Sequence, residues 1–153
     1  MTDPDLRRCT RAGFLLLAFS LPLGLTFEAL HAMKYEVYLG SAMRREMWTL
    51  AHAHGAMLGM LLLLFAALAP SAFGNAGTRA RVARLLLPGS ILMPLGFLGG
   101  GILNSEGDPS LAILLVPLGG ALLLAALVMA AAGVSDAKAS SAKPAQDREP
   151  VSR

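Results

Sequence analysis

Charged side chains are scarce in this chain of 153 residues: Asp, Glu, Lys and Arg make up 15%, whereas 55% of the residues are hydrophobic. So little charge excludes an ordinary soluble domain, whose surface carries many more charged groups. The length is that of one domain. In place of charge the chain has four long apolar runs, at residues 12–33, 47–69, 85–103 and 111–134.

Cysteine and the common catalytic motifs are also missing or nearly so. Cys9 is the only cysteine, so the chain cannot form an internal disulfide and gives no information about its redox compartment. The sequence has no Walker loop, dinucleotide-binding glycine fingerprint, Gly-x-Ser-x-Gly elbow, His-Glu-x-x-His or Cys-x-x-Cys-His motif. The usual signatures of nucleotide binding, serine hydrolysis, zinc proteolysis and covalent c-haem are therefore absent.

Each apolar run is close to the roughly 20 residues that a helix needs to cross a bilayer. The sequence therefore predicts an all-α integral membrane protein, a four-transmembrane-helix bundle over residues 1–134. Residues 135–153 lack apolar periodicity and are predicted to form a disordered cytoplasmic tail. The arginines before the first run would also suit a cleaved signal peptide. The length of that run and the lack of a clear Ala-x-Ala site favour its retention.

Basic residues are distributed unequally between the two predicted sides of the membrane. Only Lys34, Arg44 and Arg45 lie on one side, where acidic residues offset them. The positive-inside rule therefore places both termini in the cytoplasm. The predicted location is the inner membrane of a bacterium. The predicted partner is the lipid bilayer, with a second copy or a larger membrane complex as further options and no nucleic acid. The basic residues on the terminal side are Arg7, Arg8, Arg11, Arg79, Arg81, Arg84 and Lys138.

Two histidines, His52 and His54, open the second apolar run, where a titratable side chain is a functional candidate. On a helix they differ by about 200° and point to opposite faces. His52 shares its face with Gly55 and Gly59, whose spacing lets membrane helices approach closely, so His52 is predicted to point into the bundle. The face of His54 is predicted to contact lipid or a partner.

Glu28 and His31 are neighbours on the first predicted helix, because they are three residues apart. Topology places them at the same outer end as His52 and as Glu106 of the last outer loop. The predicted metal ligands are therefore Glu28, His31, His52 and Glu106, and the predicted cofactor-binding histidines are His52, His31 and His54. A structural alternative is that Glu28 and His31 bond to each other or lie among lipid headgroups.

Imidazole with carboxylate suits a transition metal such as copper, zinc or iron, and histidine also ligates the iron of haem b. The segment His52-Ala-His54-Gly55 resembles the His-x-His segments of the haem–copper oxidase catalytic subunit. In that family intramembrane histidines bind haem and copper, so the resemblance implies haem or metal at His52 or His54. The other oxidase histidines have no counterpart here, and oxygen reduction is not implied.

Three further patterns make local predictions. Tyr38 and Trp48 are typical of an aromatic belt at the membrane surface. Ser41 is predicted to cap the helical turn that leads into the second span, and Asp108 to cap the fourth. Gly96 and its neighbouring glycines either allow tight helix crossing or leave room for a porphyrin.

Two classes of function follow. The first is a membrane protein whose outer His/Glu site binds a metal or haem for redox chemistry, metal handling or a metal-dependent reaction. The second is a non-catalytic membrane subunit, or a carrier of small solutes or protons, in which these groups stabilise packing or relay protons. Whether the protein is an enzyme stays open.

Overall fold

The structure, a computed structural model, describes residues 3–102 and 107–141, with side chains up to Val134. The described residues are about 90% helical and contain no strand, which confirms an all-α fold. Four helices are long and apolar enough to cross a membrane, as the sequence predicts. The elements are α1 (Pro4–Ala32), α2 (Glu36–Leu39), α3 (Ala42–Ala72), α4 (Ala76–Ile102), a 3₁₀ helix (Leu111–Leu114) and α5 (Leu115–Ser141).

Three of the helices, α1, α3 and α4, begin several residues before the predicted spans, and polar side chains cap the starts of α1 and α3. Asp3 precedes α1, and its carboxylate accepts a hydrogen bond of 3.0 Å from the backbone N–H of Asp5. Pro4, which has no backbone N–H and therefore needs no acceptor there, takes the first helical position. α5 continues to Ser141, past the predicted boundary at residue 134, and the rest of the predicted tail lies outside the described residues.

One of the two predicted caps is confirmed and the other is wrong. The hydroxyl oxygen of Ser41 accepts a hydrogen bond of 3.2 Å from the Arg44 N–H, which starts α3. Asp108 caps no helix, because the 3₁₀ helix begins after Ser110. The Ser110 hydroxyl instead donates to the carbonyl oxygen of Gly99 at 2.8 Å, which ties the start of the last span to the end of α4.

The chain reverses sharply at the end of α1 through a Schellman motif. The Tyr35 N–H donates to the Leu30 carbonyl at 3.0 Å and the Lys34 N–H to the His31 carbonyl at 3.1 Å. Lys34 has φ of 52°, a left-handed conformation that costs a non-glycine residue about 1–2 kcal/mol. The reversal returns Tyr38 of α2 over the end of α1, where its ring stacks on Phe27.

α3 and α4 form the centre of the bundle. α1 packs against α3 and α5 against α4, whereas in the described chain α1 and α5 do not pack along each other. Accordingly, 39% of the most apolar window is buried in each of α3 and α4, against 17% in α1 and in the last span. The end that carries α2 is called the α2 end, and the opposite end, where α1 and α4 begin, the terminal end.

Close backbone contacts join each outer helix to its central neighbour. A Cβ atom on Gly59 of α3 would lie 3.0 Å from the carbonyl oxygen of Gly13 in α1. A Cβ on Gly119 of α5 would lie 3.1 Å from the carbonyl oxygen of Gly89 in α4. Such contacts leave no room for a larger side chain, so both interfaces depend on glycine.

Candidate functional site

His52 lies on α3 at the interface with α1, near the α2 end. Its Nδ1 atom is 2.8 Å from the backbone carbonyl oxygen of Ser20. Because a carbonyl only accepts, Nδ1 is the donor, and a neutral imidazole therefore carries its free lone pair on Nε2. The ring packs on Gly24, where an added Cβ would come within 2.6 Å of the imidazole Cε1. The position of His52 thus depends on a glycine and on a backbone acceptor of α1.

A groove of about 280 Å³ opens beside this imidazole and is called the His52 groove. Glu28 lines it together with His52, so the structure brings these two predicted ligands into one cavity. The Glu28 side chain is exposed, whereas His52 is half-buried. Apolar walls with a few polar groups are typical of small-ligand sites, and this volume is near their lower limit. The lining residues are Leu21, Gly24, Leu25, Phe27, Glu28, Tyr38, Thr49 and His52.

Three stacked rings form one side of this end of the molecule. The Phe27 centroid is 5.5 Å from that of Trp48, and the Tyr38 centroid is 6.1 Å from that of Trp48. The Arg44 guanidinium lies 5.9 Å from the Trp48 ring centroid and donates at 3.0 Å to the Gly101 carbonyl. Tyr38 and Trp48 therefore hold α1, α2 and α3 together, a role that a membrane-belt interpretation does not include. In the sequence, the signal for this cluster was one aromatic residue near the same end of each of three segments: Phe27, Tyr38 and Trp48.

His31 and Glu106 do not join the His52 groove in the described structure. His31 is exposed, and its ring meets Tyr38 edge-on with centroids 6.4 Å apart. It therefore lies at the rim and not among the lining residues. Glu106 falls outside the described residues. Within residues 3–102 and 107–134 no three His, Cys, Asp or Glu side chains lie together as a metal site.

His54 lies on the side of α3 opposite to His52, as the 200° separation predicts. Its Nδ1 atom is 2.9 Å from the Leu50 carbonyl oxygen, and its ring centroid is 4.9 Å from that of Phe97 on α4. Leu58 on the same face is only 4% exposed. The prediction that this face meets lipid or a partner is therefore wrong, because α3 is central and has a helix on both sides. The two imidazoles do not meet at one ion.

The glycines of α4 are occupied by close packing. A Cβ on Gly96 would lie 2.8 Å from Cγ2 of Val116, and a Cβ on Gly89 would lie 3.0 Å from the Gly119 carbonyl oxygen. Of the two alternatives for these glycines, the contacts support tight crossing of α4 and α5. They leave no space at these positions for a porphyrin.

Comparison of the chain with protein-family models, curated proteins and solved structures gave no match in any of the three. The resemblance of the His52–Gly55 segment to haem–copper oxidases therefore stays a prediction.

Proposed function

We propose that the protein is a multi-pass membrane protein that binds a transition-metal ion in the His52 groove, with Nε2 of His52 and the Glu28 carboxylate as its ligands. The observation that supports this most is the hydrogen bond from Nδ1 of His52 to the Ser20 carbonyl. Metal-binding histidines commonly donate their second ring N–H in this way, which fixes the tautomer and raises the basicity of the ligating nitrogen. Glu28 supplies a charged oxygen ligand in the same cavity.

Two protein ligands leave coordination positions open on the ion. Open positions on a metal are where water, substrate or a further ligand binds. His31, at the rim, and Glu106, in the loop at the same predicted side, are the residues of this chain that we propose as additional ligands when the ion is bound. The chemistry served is metal handling, redox exchange or a reaction of a metal-bound ligand.

We place both termini in the cytoplasm and the His52 groove on the outer side of a bacterial inner membrane. The support is the excess of arginine at the terminal end, which the positive-inside rule assigns to the cytoplasm. The groove would then meet ions from the periplasm without their crossing the bilayer.

Binding is favoured over transport across the membrane. Glu28 and His52 are exposed or half-buried at one end, and the core below them is made of Leu58, Leu62 and other apolar side chains. Residues 55–69, 85–102 and 111–134 contain no charged residue and no histidine. A proton relay or cation path needs such groups at successive depths.

Haem b is the second occupant that we propose to test, with His52 as its axial ligand. Nε2 is the nitrogen that the Ser20 hydrogen bond leaves free for ligation, which suits iron in haem as well as a single ion. Haem has a strong visible absorption that a zinc or copper(I) site lacks, so one spectrum separates the two occupants.

The test is metal analysis with an absorption spectrum on detergent-purified protein, for the wild type and two histidine variants. The wild type should hold close to one equivalent of copper, zinc or iron. His52→Ala should lose most of it, since the variant lacks an imidazole ligand. His54→Ala is the matched control, because its ring contacts Phe97 on the other side of α3, and it should keep the ion.

Loss of the ion in His54→Ala with retention in His52→Ala would show that the site lies on the α4 side of α3. Wild-type protein without metal or haem after growth with added copper, zinc and iron would overturn the proposal. The alternative function, a non-catalytic membrane subunit in which these side chains stabilise packing, would then be preferred.

A further inference from the structure

A second group of charged side chains lies at the terminal end, opposite to the His52 groove. The Asp5 carboxylate forms ion pairs with two arginines from different helices, Arg8 of α1 at 3.5 Å and Arg84 of α4 at 3.8 Å. Asp5 is 15% exposed, whereas both arginine side chains are 73% exposed. One carboxylate thus holds two guanidinium groups side by side with an excess positive charge. Arg8 and Arg84 are called the arginine pair.

An apolar groove of about 280 Å³ lies between α1 and α4, with α3 as its floor. It is called the α1–α4 groove. Arg8 precedes three of the α1 lining residues by four, seven and eleven positions, and Arg84 precedes three of those on α4 by seven, eleven and fourteen. Both arginines therefore lie on the helix stripes that line the groove, at its terminal end. The lining residues on the same stripes as the two arginines are Ala12, Leu15 and Phe19 of α1 and Ile91, Leu95 and Leu98 of α4.

The α1–α4 groove is open to the surroundings of the bundle. Leu15, Phe19 and Leu95 on its walls are all exposed large side chains. In a membrane these residues lie at hydrocarbon depth, while the arginine pair, which precedes the apolar stretches of α1 and α4, lies near the headgroups. The arginine pair and the α1–α4 groove together are called the joint surface. It is cationic at the headgroup level and apolar below it.

We propose that this joint surface binds one anionic phospholipid, with the phosphate at the arginine pair and one acyl chain in the α1–α4 groove. A guanidinium group matches phosphate with two parallel N–H donors, which makes arginine a better phosphate ligand than a point charge. The acyl chain fits a groove whose lining is almost wholly apolar. A zwitterionic lipid would bind more weakly, because the arginines attract it less. Free phosphate would also bind more weakly, because it has no acyl chain to place in the groove.

The test compares lipid retention by purified protein in detergent, measured by native mass spectrometry with phosphatidylglycerol and phosphatidylcholine of the same acyl chains. Wild-type protein should retain phosphatidylglycerol preferentially. The double variant Arg8→Gln with Arg84→Gln should lose at least about tenfold in that preference, since each arginine near an anionic lipid contributes roughly a fivefold effect. The double variant Arg7→Gln with Arg81→Gln removes the same charge from exposed positions at the same end and should keep the preference.

Equal losses in the two double variants would overturn the proposal, because the attraction would then be a diffuse property of the basic end. Leu95→Trp provides an independent test, since it fills the α1–α4 groove and leaves the arginine pair intact. It should reduce retention of phosphatidylglycerol by several-fold, and unchanged retention would place the acyl chain elsewhere and overturn the proposal. Displacement of the bound lipid by millimolar inorganic phosphate would show an anion site without a lipid chain and would also overturn it.

Discussion

The interface between α1 and α3 and the interface between α4 and α5 use the same packing device with different results. In each, glycines bring two backbones into contact, at Gly13 and Gly59 in the first and at Gly89 and Gly119 in the second. Toward the α2 end, the first interface continues into a contact with a titratable side chain, where His52 rests on Gly24. The second ends there in the hydrogen bond from the Ser110 hydroxyl to the Gly99 carbonyl. Close approach is therefore what places a backbone acceptor of one helix against the imidazole of another. The second interface shows that glycine packing alone creates no site.

The largest expected effect comes from breaking each interface in turn. Gly59→Leu and Gly119→Leu should each lower the stability of the protein in detergent by about 3 kcal/mol or more, at the upper end of the range for overpacking. The reason is that the added side chain meets backbone atoms within 3.2 Å, which cannot move unless the helices separate. The measurement is the thermal unfolding midpoint in a mild detergent.

The two variants should differ in metal binding. Gly59→Leu shifts α1 relative to His52 and should lose the ion even in the fraction that stays folded on size exclusion. Gly119→Leu should keep it, because α5 contributes no residue to the His52 groove. Gly74→Leu is the control for the added side chain, since a Cβ there meets no atom within 4 Å. Equal stability of Gly59→Leu and Gly74→Leu would show that the α1–α3 contact is looser than the structure indicates.

Much of this comparison follows from the sequence, since the number of apolar spans and the spacing of Gly55 and Gly59 are local properties. The opposite orientation of His52 and His54 also follows from helix geometry. What local pattern could not give is the order of the helices around α3. The large apolar neighbours of His54 predict a face that contacts lipid or a partner, because a lipid-facing stripe has the same composition as a buried one in a membrane protein.

The prediction of a helix cap at Asp108 was wrong for a related reason. An Asp-Pro pair satisfies the local rule for a helix start, yet Ser110 has a tertiary acceptor in the Gly99 carbonyl and the helix begins after it. Likewise, the carbonyl that fixes His52 belongs to Ser20, which is 32 residues earlier in the chain. Contacts of this range depend on how helices cross, which no single segment encodes.

A smaller effect should follow from altering only the polar contact of the first interface. Gly24→Ala adds one methyl group within 2.6 Å of the His52 ring and should push the imidazole away from the Ser20 carbonyl. We expect metal affinity to fall about 10–100-fold, as for loss of a group that orients a ligand, with little change in stability. A competition titration with a chelator of known affinity measures this change.

Gly120→Ala is the matched control for this methyl group, because its Cβ would meet only the flexible end of Met93 at 3.3 Å. It should leave metal affinity unchanged. If Gly24→Ala binds the ion as tightly as wild type, the packing of His52 on α1 is not what prepares it for ligation. Close packing of α1 on α3 would then not explain why only this interface is proposed to bind metal.

The smallest effect concerns two buried serines. Ser90 of α4 is fully buried, and its hydroxyl has no hydrogen-bond partner among the described residues. A buried polar group without a partner costs about 1–3 kcal/mol, so Ser90→Ala should raise stability by about 1 kcal/mol after the lost contacts are deducted. A lower unfolding midpoint for Ser90→Ala would mean that the Ser90 hydroxyl has a hydrogen-bond partner, either buried water or a bound lipid.

Ser20→Ala keeps the backbone carbonyl that accepts the hydrogen bond from His52, and the variant should therefore retain the metal. Loss of metal in Ser20→Ala would show that the Ser20 side chain, and not the backbone of α1, orients His52.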